Sequence, residues 1–270
     1  MQAVTLGAGV QWHEAYDFVQ KQGRFILGGI SPGASVGAAG GWVMGGGHSF
    51  FSPKFGLGTP SSFPINPHIF TFDLGVDNVL QFTIVLADGS LVTTNLFQYP
   101  DLFWALRGGG GGTYGILIST TYQTHPTFPL TLARITANLT SPAIAQNVTT
   151  EFIKLHPTIS EAGWGGFIDL SNSSFSATLS ATNISWVDTN TTFLPFVQSV
   201  TEATGGLVQA TTTPFGSFFE LYQALFANIE GGVGFPNEIA SRLLPRSLAE
   251  TDPAKVAKIM LSLNGGVTIK

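Results

Sequence analysis

The chain alternates between short β-patterned runs and helical periodicities, with glycine-rich segments between them. Residues 3–6 form an apolar run closed by Gly7 and Gly9. Trp12, Ala15, Tyr16 and Val19 then recur at i, i+3, i+4 and i+7, and Gly23 supplies a stop. That order predicts strand, turn and helix, and 24–27 reads as a second strand running into glycines. From Val79, "VLQFTIVLADGSLVTTN" sets two β-branched runs around Ala87-Asp88-Gly89, which predicts a hairpin. Pro100 and Asp101 open a short helix with Leu102, Ala105 and Leu106 on its apolar face; Gly108 ends it, and 114–122 follows as a strand.

Past Pro129 the glycine loops thin out while Asn, Ser and Thr rise, so a domain boundary is expected between 1–128 and 129–270. In the second part, 132–138, 165–170 and 175–183 read as strands and 142–156 and 192–203 as helices. This β-α-β-β-α succession is the signature of a sheet with helices on one face. Segments 214–229 and 238–259 are predicted mostly helical, and a further strand begins in the final "GGVTIK". The expected fold class is α+β.

Composition narrows the function. Charged residues make up 10% of the 270, and mean hydropathy is +0.28. No run of about 18 apolar residues could span a bilayer, so a soluble chain without a membrane partner is expected. Eleven basic residues stand against 16 acidic ones with no Lys/Arg cluster, which argues against nucleic acid. Cysteine is absent, so disulfides, thiolate metal sites and cysteine nucleophiles are excluded in this chain. His13 and His156 have no partner at ligand spacing, and no metal site is expected. His125, beside Pro126, and Arg107, at a helix end, read as structural residues. Five acceptor sequons, at Asn138, Asn147, Asn172, Asn183 and Asn190, point to a secreted glycoprotein. The opening "MQAVTLGAGVQWHEAYDF" has neither a basic nor a continuous apolar leader region. Either the protein is not secreted or its start lies upstream.

The densest chemistry is "VGAAGGWVMGGGHS", residues 36–49, with six glycines, Trp42 and His48. Gly37, Gly40, Gly41, Gly45, Gly46 and Gly47 permit positive φ and let backbone amides approach a ligand, which suits a pyrophosphate and a flat ring. Tight structural packing of glycine turns explains the same residues, so two readings stand. A second glycine run, Gly110 to Gly115, matches G-x-G-x-x-G. It follows a helix and precedes a strand, the reverse of the order a dinucleotide-binding motif needs.

Four stretches, "AVTLGAGVQWHEAY", "VGAAGGWVMGGGHS", "LGVDNVLQFTIVLADGSLVTTN" and "PDLFWALRGGGGGTYGILISTTYQTHP", occur in this order within residues 3–126. Together they resemble the latter half of the flavin domain in FAD-linked oxidoreductases of the vanillyl-alcohol-oxidase superfamily, nearest the fungal berberine-bridge-enzyme-like group. The resemblance implies a PCMH-type FAD-binding domain followed by a substrate domain built on an antiparallel sheet. It places Ser35, Val36, Gly37, Gly40, Gly41, Trp42, Gly46, Gly47 and His48 against the isoalloxazine and pyrophosphate, with Trp42 beneath the ring. Gly75, Val76 and Asp77 lie near the cofactor, and Gly115 and Ile116 offer it backbone. The implied reaction is hydride transfer from a C–H of a small alcohol, sugar or secondary metabolite to flavin N5, with reoxidation by oxygen.

Departures from the pattern matter too. Where many relatives carry C-P-T-V-G with a flavin-linked cysteine, this chain has Gly33-Ala34-Ser35-Val36-Gly37. The resemblance implies that the histidine-bearing N-terminal subdomain and the catalytic C-terminal tyrosine lie outside the chain, which looks like the middle of a larger enzyme. The stretch 59–74 interrupts the match and reads as an insert, either a retained intron or an ordinary loop. The rival functional reading is an inactive secreted fragment that keeps the fold but binds no FAD tightly. A carbohydrate-binding or adhesive module is a third, resting on sequons and aromatics.

Overall fold

The computed structural model describes residues 2–51, 75–229, 244–263 and 267–269. The insert expected at 59–74, and the part of the 238–259 helix before residue 244, lie outside the described residues. The chain is an α+β protein that divides into two compact units, Met1–Phe128 with Ser217–Val233, and Pro129–Gly216 with Gly234–Lys270.

The first unit is built on a four-stranded antiparallel sheet. Strands β1 (Ala3–Gly7), β3 (Val79–Val85), β4 (Leu91–Thr94) and β5 (Ile116–Gln123) lie in the order β1-β5-β3-β4. Helix α1 (Trp12–Gln20) buries the four residues its periodicity selected, Trp12, Ala15, Tyr16 and Val19. Its first turn is fixed by the Glu14 carboxylate, which accepts from the Gln11 amide at 2.9 Å. The hairpin forms where Asp-Gly predicts it, with Leu86 N donating to Ser90 O across three residues and Gly89 at φ 84. Asp88 accepts from the amide and the hydroxyl of Ser90, which fixes the turn. The second strand is shorter than expected: β2 (Arg24–Phe25) pairs only with β6 (His125–Pro126), and Ile26 and Leu27 are buried outside any strand. A one-turn helix α2 (Gly41–Met44) and helix α3 (Pro100–Leu106) complete the amino-terminal part.

The second unit has a five-stranded antiparallel sheet in the order β10-β7-β9-β8-β11. Its strands are β7 (Leu130–Asn138), β8 (Gly165–Leu170), β9 (Ser174–Thr182), β10 (Val208–Phe215) and β11 (Val267–Ile269). Ala133, Ile135, Ala177, Leu179 and Ile168 pack with Val148, Phe152, Phe193 and Phe196 in one core. Those helical residues come from α4 (Pro142–Glu161) and α5 (Trp186–Thr204), so the period-2 and period-3.6 patterns meet in one layer pair. Helices α7 (Arg246–Thr251) and α8 (Pro253–Leu261) add a smaller cluster of Ile153, Ala249, Val256 and Ala257.

Four further expectations change. The predicted end of α4 at His156 gives way to Glu161: Pro157 removes one backbone hydrogen bond, but Pro157 and Ile159 are buried, and tertiary packing carries the helix through. Helix α5 starts six residues earlier than expected, at Trp186, because the Ser185 hydroxyl accepts from the Asp188 amide at 3.1 Å as an N-cap. Residues 208–215 form an edge strand where helix was expected from 214; β10 is mostly exposed and shows no alternation of apolar residues, so no period marked it. Finally, 129–270 is not one unit. Helix α6 (Phe218–Leu225) belongs to the first unit, where Phe218 and Tyr222 lie 5.0 and 5.3 Å from the Tyr16 ring.

Burial beside Phe152 pushes the His156 imidazole pKa below its ordinary value. The unfolded chain therefore takes up a proton before the folded one does, and stability is lost as pH falls below about 6.5. We expect the urea midpoint to decline between about pH 7 and pH 5, and His156→Gln to flatten that decline. An identical slope in the variant would show that His156 does not carry it.

Candidate functional site

Three glycine-bearing segments of the first unit converge. In the first, Val36 O accepts from Trp12 N at 3.2 Å, Gly37 forms a bridge with Gln11, and Ala38 N donates to Val10 O at 2.8 Å. The strand β5 side chains hold the next residues: the Tyr122 hydroxyl donates to Ala38 O, Thr120 Oγ1 donates to Ala39 O at 2.5 Å, and Leu117 lies against Gly40. Burial pushes the Tyr122 phenol pKa well up, and does the same to Tyr16, whose hydroxyl donates to Gly29 O at 2.7 Å. Both phenols therefore stay protonated and act as fixed donors to backbone.

The second segment, Gly75–Asn78, docks on the first through Gly75 N to Gly47 O at 2.8 Å and Val76 N to Gly46 O at 3.1 Å. The third enters after α3, where Gly110 N donates to Met44 O at 2.8 Å. Arg107, at the end of that helix, donates to Val76 O at 3.1 Å and to Asp77 Oδ1 at 2.6 Å, and its guanidinium lies 5.3 Å from the Phe103 ring centre. Arg107 thus fastens the second segment to the third. Gly115 closes the set at φ 151, where a Cβ would stand 2.3 Å from Val85 O, and Ile116 beside it is exposed.

The glycines divide into two kinds. A Cβ on Gly29, Gly47 or Gly75 would stand 2.9, 2.7 or 2.0 Å from the Trp42 ring, and one on Gly28 would stand 2.3 Å from Trp12. These glycines are required by indole packing. Gly37 and Gly41 have no neighbour within 4 Å of an added Cβ, so packing does not explain them. Among the described residues no acceptor binds the amides of Gly40 and Gly41, which stand at the start of α2, where first-turn amides lack intrahelical partners.

Trp42 sits at the junction. Its Nε1 donates to His48 O at 3.1 Å and its ring meets Trp12 edge-on at 5.0 Å, so its observed partners are protein. Sequence reasoning placed Trp12 on a helix face only, yet it is fully buried among Trp42, Tyr16 and Tyr122, and its Nε1 has no hydrogen-bond partner among the described residues. The adjacent pair Gly28-Gly29 was the available signal of a close approach. Ser31 Oγ is buried and likewise has no partner among the described residues. Ser35 follows Gly33 and Ala34, both at positive φ, 59° and 46°.

Among the described residues Asp77 and His125, titratable groups beside the glycine segments, are each engaged by protein. Asp77 is paired with Arg107, and His125 bonds Asn78 Oδ1 at 2.8 Å. Burial, then the nearby Arg24 charge, holds the His125 pKa below its usual value. Among the described residues no cluster of His, Asp and Glu could hold a metal ion, and no helix is long and apolar enough to cross a membrane. The site offers backbone amides on a rigid aromatic base, the means to bind and orient an anionic, flat ligand.

No family model matches the chain. Among curated proteins it is similar to the FAD-linked oxidoreductase ffsJ of Aspergillus flavipes, 34% identical over 254 residues, covering 92% of this chain and 36% of the relative. An uncharacterized FAD-linked oxidoreductase of Arthroderma benhamiae is 32% identical over 281 residues, covering 97% and 44%. Among solved structures, a VAO-type flavoprotein of Myceliophthora thermophila C1 superposes with a TM-score of 0.77 at 26% identity, over 96% of this chain and 44% of that one. The chain spans less than half the length of these relatives.

Because Arg107 joins two segments through a partly buried ion pair, Arg107→Met is expected to lower stability by about 1–3 kcal/mol. Asp77→Asn, which keeps an acceptor, should cost less. Thermal unfolding of the two variants checks this order.

Proposed function

We propose that this chain, which is similar to FAD-linked oxidoreductases and to a VAO-type flavoprotein, is a member of that family and supplies part of an FAD cradle and the substrate-facing unit of such an enzyme. The observation that carries the reading is the convergence of the three glycine segments, with Gly37 and Gly41 left unexplained by packing. The cradle would consist of Ser35, Val36, Gly37, Gly40, Gly41, Trp42, Gly46, Gly47 and His48, joined by Gly75, Val76, Asp77, Gly115 and Ile116. The residues present fit the group: the amides of Gly40 and Gly41, which have no acceptor among the described residues, suit phosphate oxygens. With no cysteine in the chain, none of its residues can hold the ring through sulfur.

A bound flavin would supply the hydride acceptor for a substrate C–H next to oxygen or nitrogen, with dioxygen as the proposed final oxidant. The chain's own part is positional. Tyr122 and Thr120 fix the carbonyls of Ala38 and Ala39, so the amides that follow hold their direction without reorganisation on binding. The first unit corresponds to the latter half of a PCMH-type FAD-binding domain and the second to a substrate domain acting on a small alcohol, sugar or secondary metabolite. A second reading is a chain that keeps the fold without binding FAD tightly.

The test is the absorbance spectrum of the purified chain after incubation with FAD and desalting. Retained flavin bands that dithionite bleaches are expected, with Gly41→Val, whose side chain enters open space, binding at least about tenfold more weakly, ~1.4 kcal/mol, while folding normally. A spectrum without flavin from folded protein would favour the second reading.

A further inference from the structure

All five asparagines between residues 129 and 216 stand in an Asn-x-Ser/Thr sequon, and none of the six asparagines elsewhere in the chain does. The flavin reading makes no use of this bias. The fold adds that the sequons mark the surface of a single unit. Asn138 is exposed at the end of β7, Asn147 is exposed on α4, and Asn172 is exposed in the turn joining β8 to β9, with its Nδ2 donating to Leu261 O at 3.3 Å. Asn183 is exposed immediately after β9 at φ 57, a left-handed position that asparagine tolerates. Asn190 differs: it is half-buried on α5, and its Oδ1 accepts from Thr212 Oγ1 of β10 at 3.0 Å.

The same surface carries exposed apolar groups that sugar would shield. Leu207, 47% exposed, is joined to Asn138 by the bond from Asn138 N to Leu207 O, and Trp186 and Val187, 53% and 60% exposed, follow Asn183 within four residues. Charge does little to keep this region hydrated, since 129–216 holds only Arg134, Glu151, Lys154, Glu161, Asp169, Asp188 and Glu202. Apolar surface at low charge density invites association unless something polar covers it.

We propose that the second unit is N-glycosylated at Asn138, Asn147, Asn172 and Asn183 during passage through a secretory pathway, and that Asn190 remains unmodified. In the modification each acceptor Nδ2 forms a bond to the reducing-end carbon of a lipid-linked oligosaccharide; the lipid diphosphate leaves and the amide proton is lost. At Asn138, Asn147 and Asn183 the glycan projects into solvent, and at Asn172 the exposed amide turns outward once its long bond to Leu261 O is given up. At Asn190 the half-buried side chain is bonded to β10 through Oδ1, and a glycan added to the nascent chain would have to be accommodated against that strand as it folds, so folded protein carries none there.

The experiment is mass spectrometry of the protein isolated from the cells that make it, before and after peptide-N-glycosidase treatment in heavy-oxygen water. The expected result is a fall in intact mass and a heavy-aspartate label at the four exposed asparagines, with Asn190 unlabelled. An unchanged intact mass overturns the proposal, and a label at Asn190 equal to the others overturns the structural discrimination. The shielding role is read separately: replacing all four asparagines by glutamine should raise aggregation of folded protein at high concentration, while Asn190→Gln should leave glycan content unchanged. Equal aggregation of the four-site variant and the parent would overturn that role.

Discussion

The indole of Trp42 fills the space that three glycines leave empty, and the first unit is organised around that contact. Gly29, Gly47 and Gly75 come from separate parts of the chain, and a Cβ on any of them would penetrate the ring. Glycine is used here for close approach as well as for backbone freedom: Gly29 and Gly75 have no positive φ, whereas Gly47, at φ 72, needs both. Because Trp42 is also tied to His48 O and packed on Trp12, the ring fixes the turn it belongs to and the segment that docks on it. Displacing it would release Gly75 and Val76, and with them the anchor of Arg107.

That constraint separates scaffold from binding surface within a single motif. Gly47 is held by aromatic packing, while Gly37 and Gly41 face open space with amides beside them. The packing explanation of the glycine-rich stretch therefore holds for Gly47, and it does not reach Gly37 and Gly41. Similarity to FAD-linked oxidoreductases fits a site made of backbone: in flavin enzymes the reactive group is the cofactor's, and protein groups need only orient and exclude. Buried tyrosines as permanent donors, a paired Asp77 and a desolvated His125 are consistent with that division of labour.

Much of this was legible in the sequence where one physical rule dominates. The apolar period of α1, the Asp-Gly hairpin and the Pro-Asp start of α3 need only local geometry, and the structure agrees with each. The reading was weaker where packing overrides local preference. Strand β10 is an exposed edge whose threonines carry no alternation, and Pro157 sits inside a helix because its neighbours are buried. The site was legible as a set of motifs, and family resemblance supplied the grouping. The identity of the ring that the glycines accommodate was not legible, since a contact between Trp42 and Gly75 across 33 residues leaves no periodic trace.

The most direct measurement is a double-mutant cycle at Gly75 and Trp42, read by chemical denaturation. Gly75→Ala should destabilise the parent by roughly 1–3 kcal/mol through overpacking. In a Trp42→Ala background, where the ring is gone, the same change should cost markedly less, giving a coupling of about 1 kcal/mol or more. Additive effects of the two substitutions would contradict the claim that this indole is what the glycine makes room for.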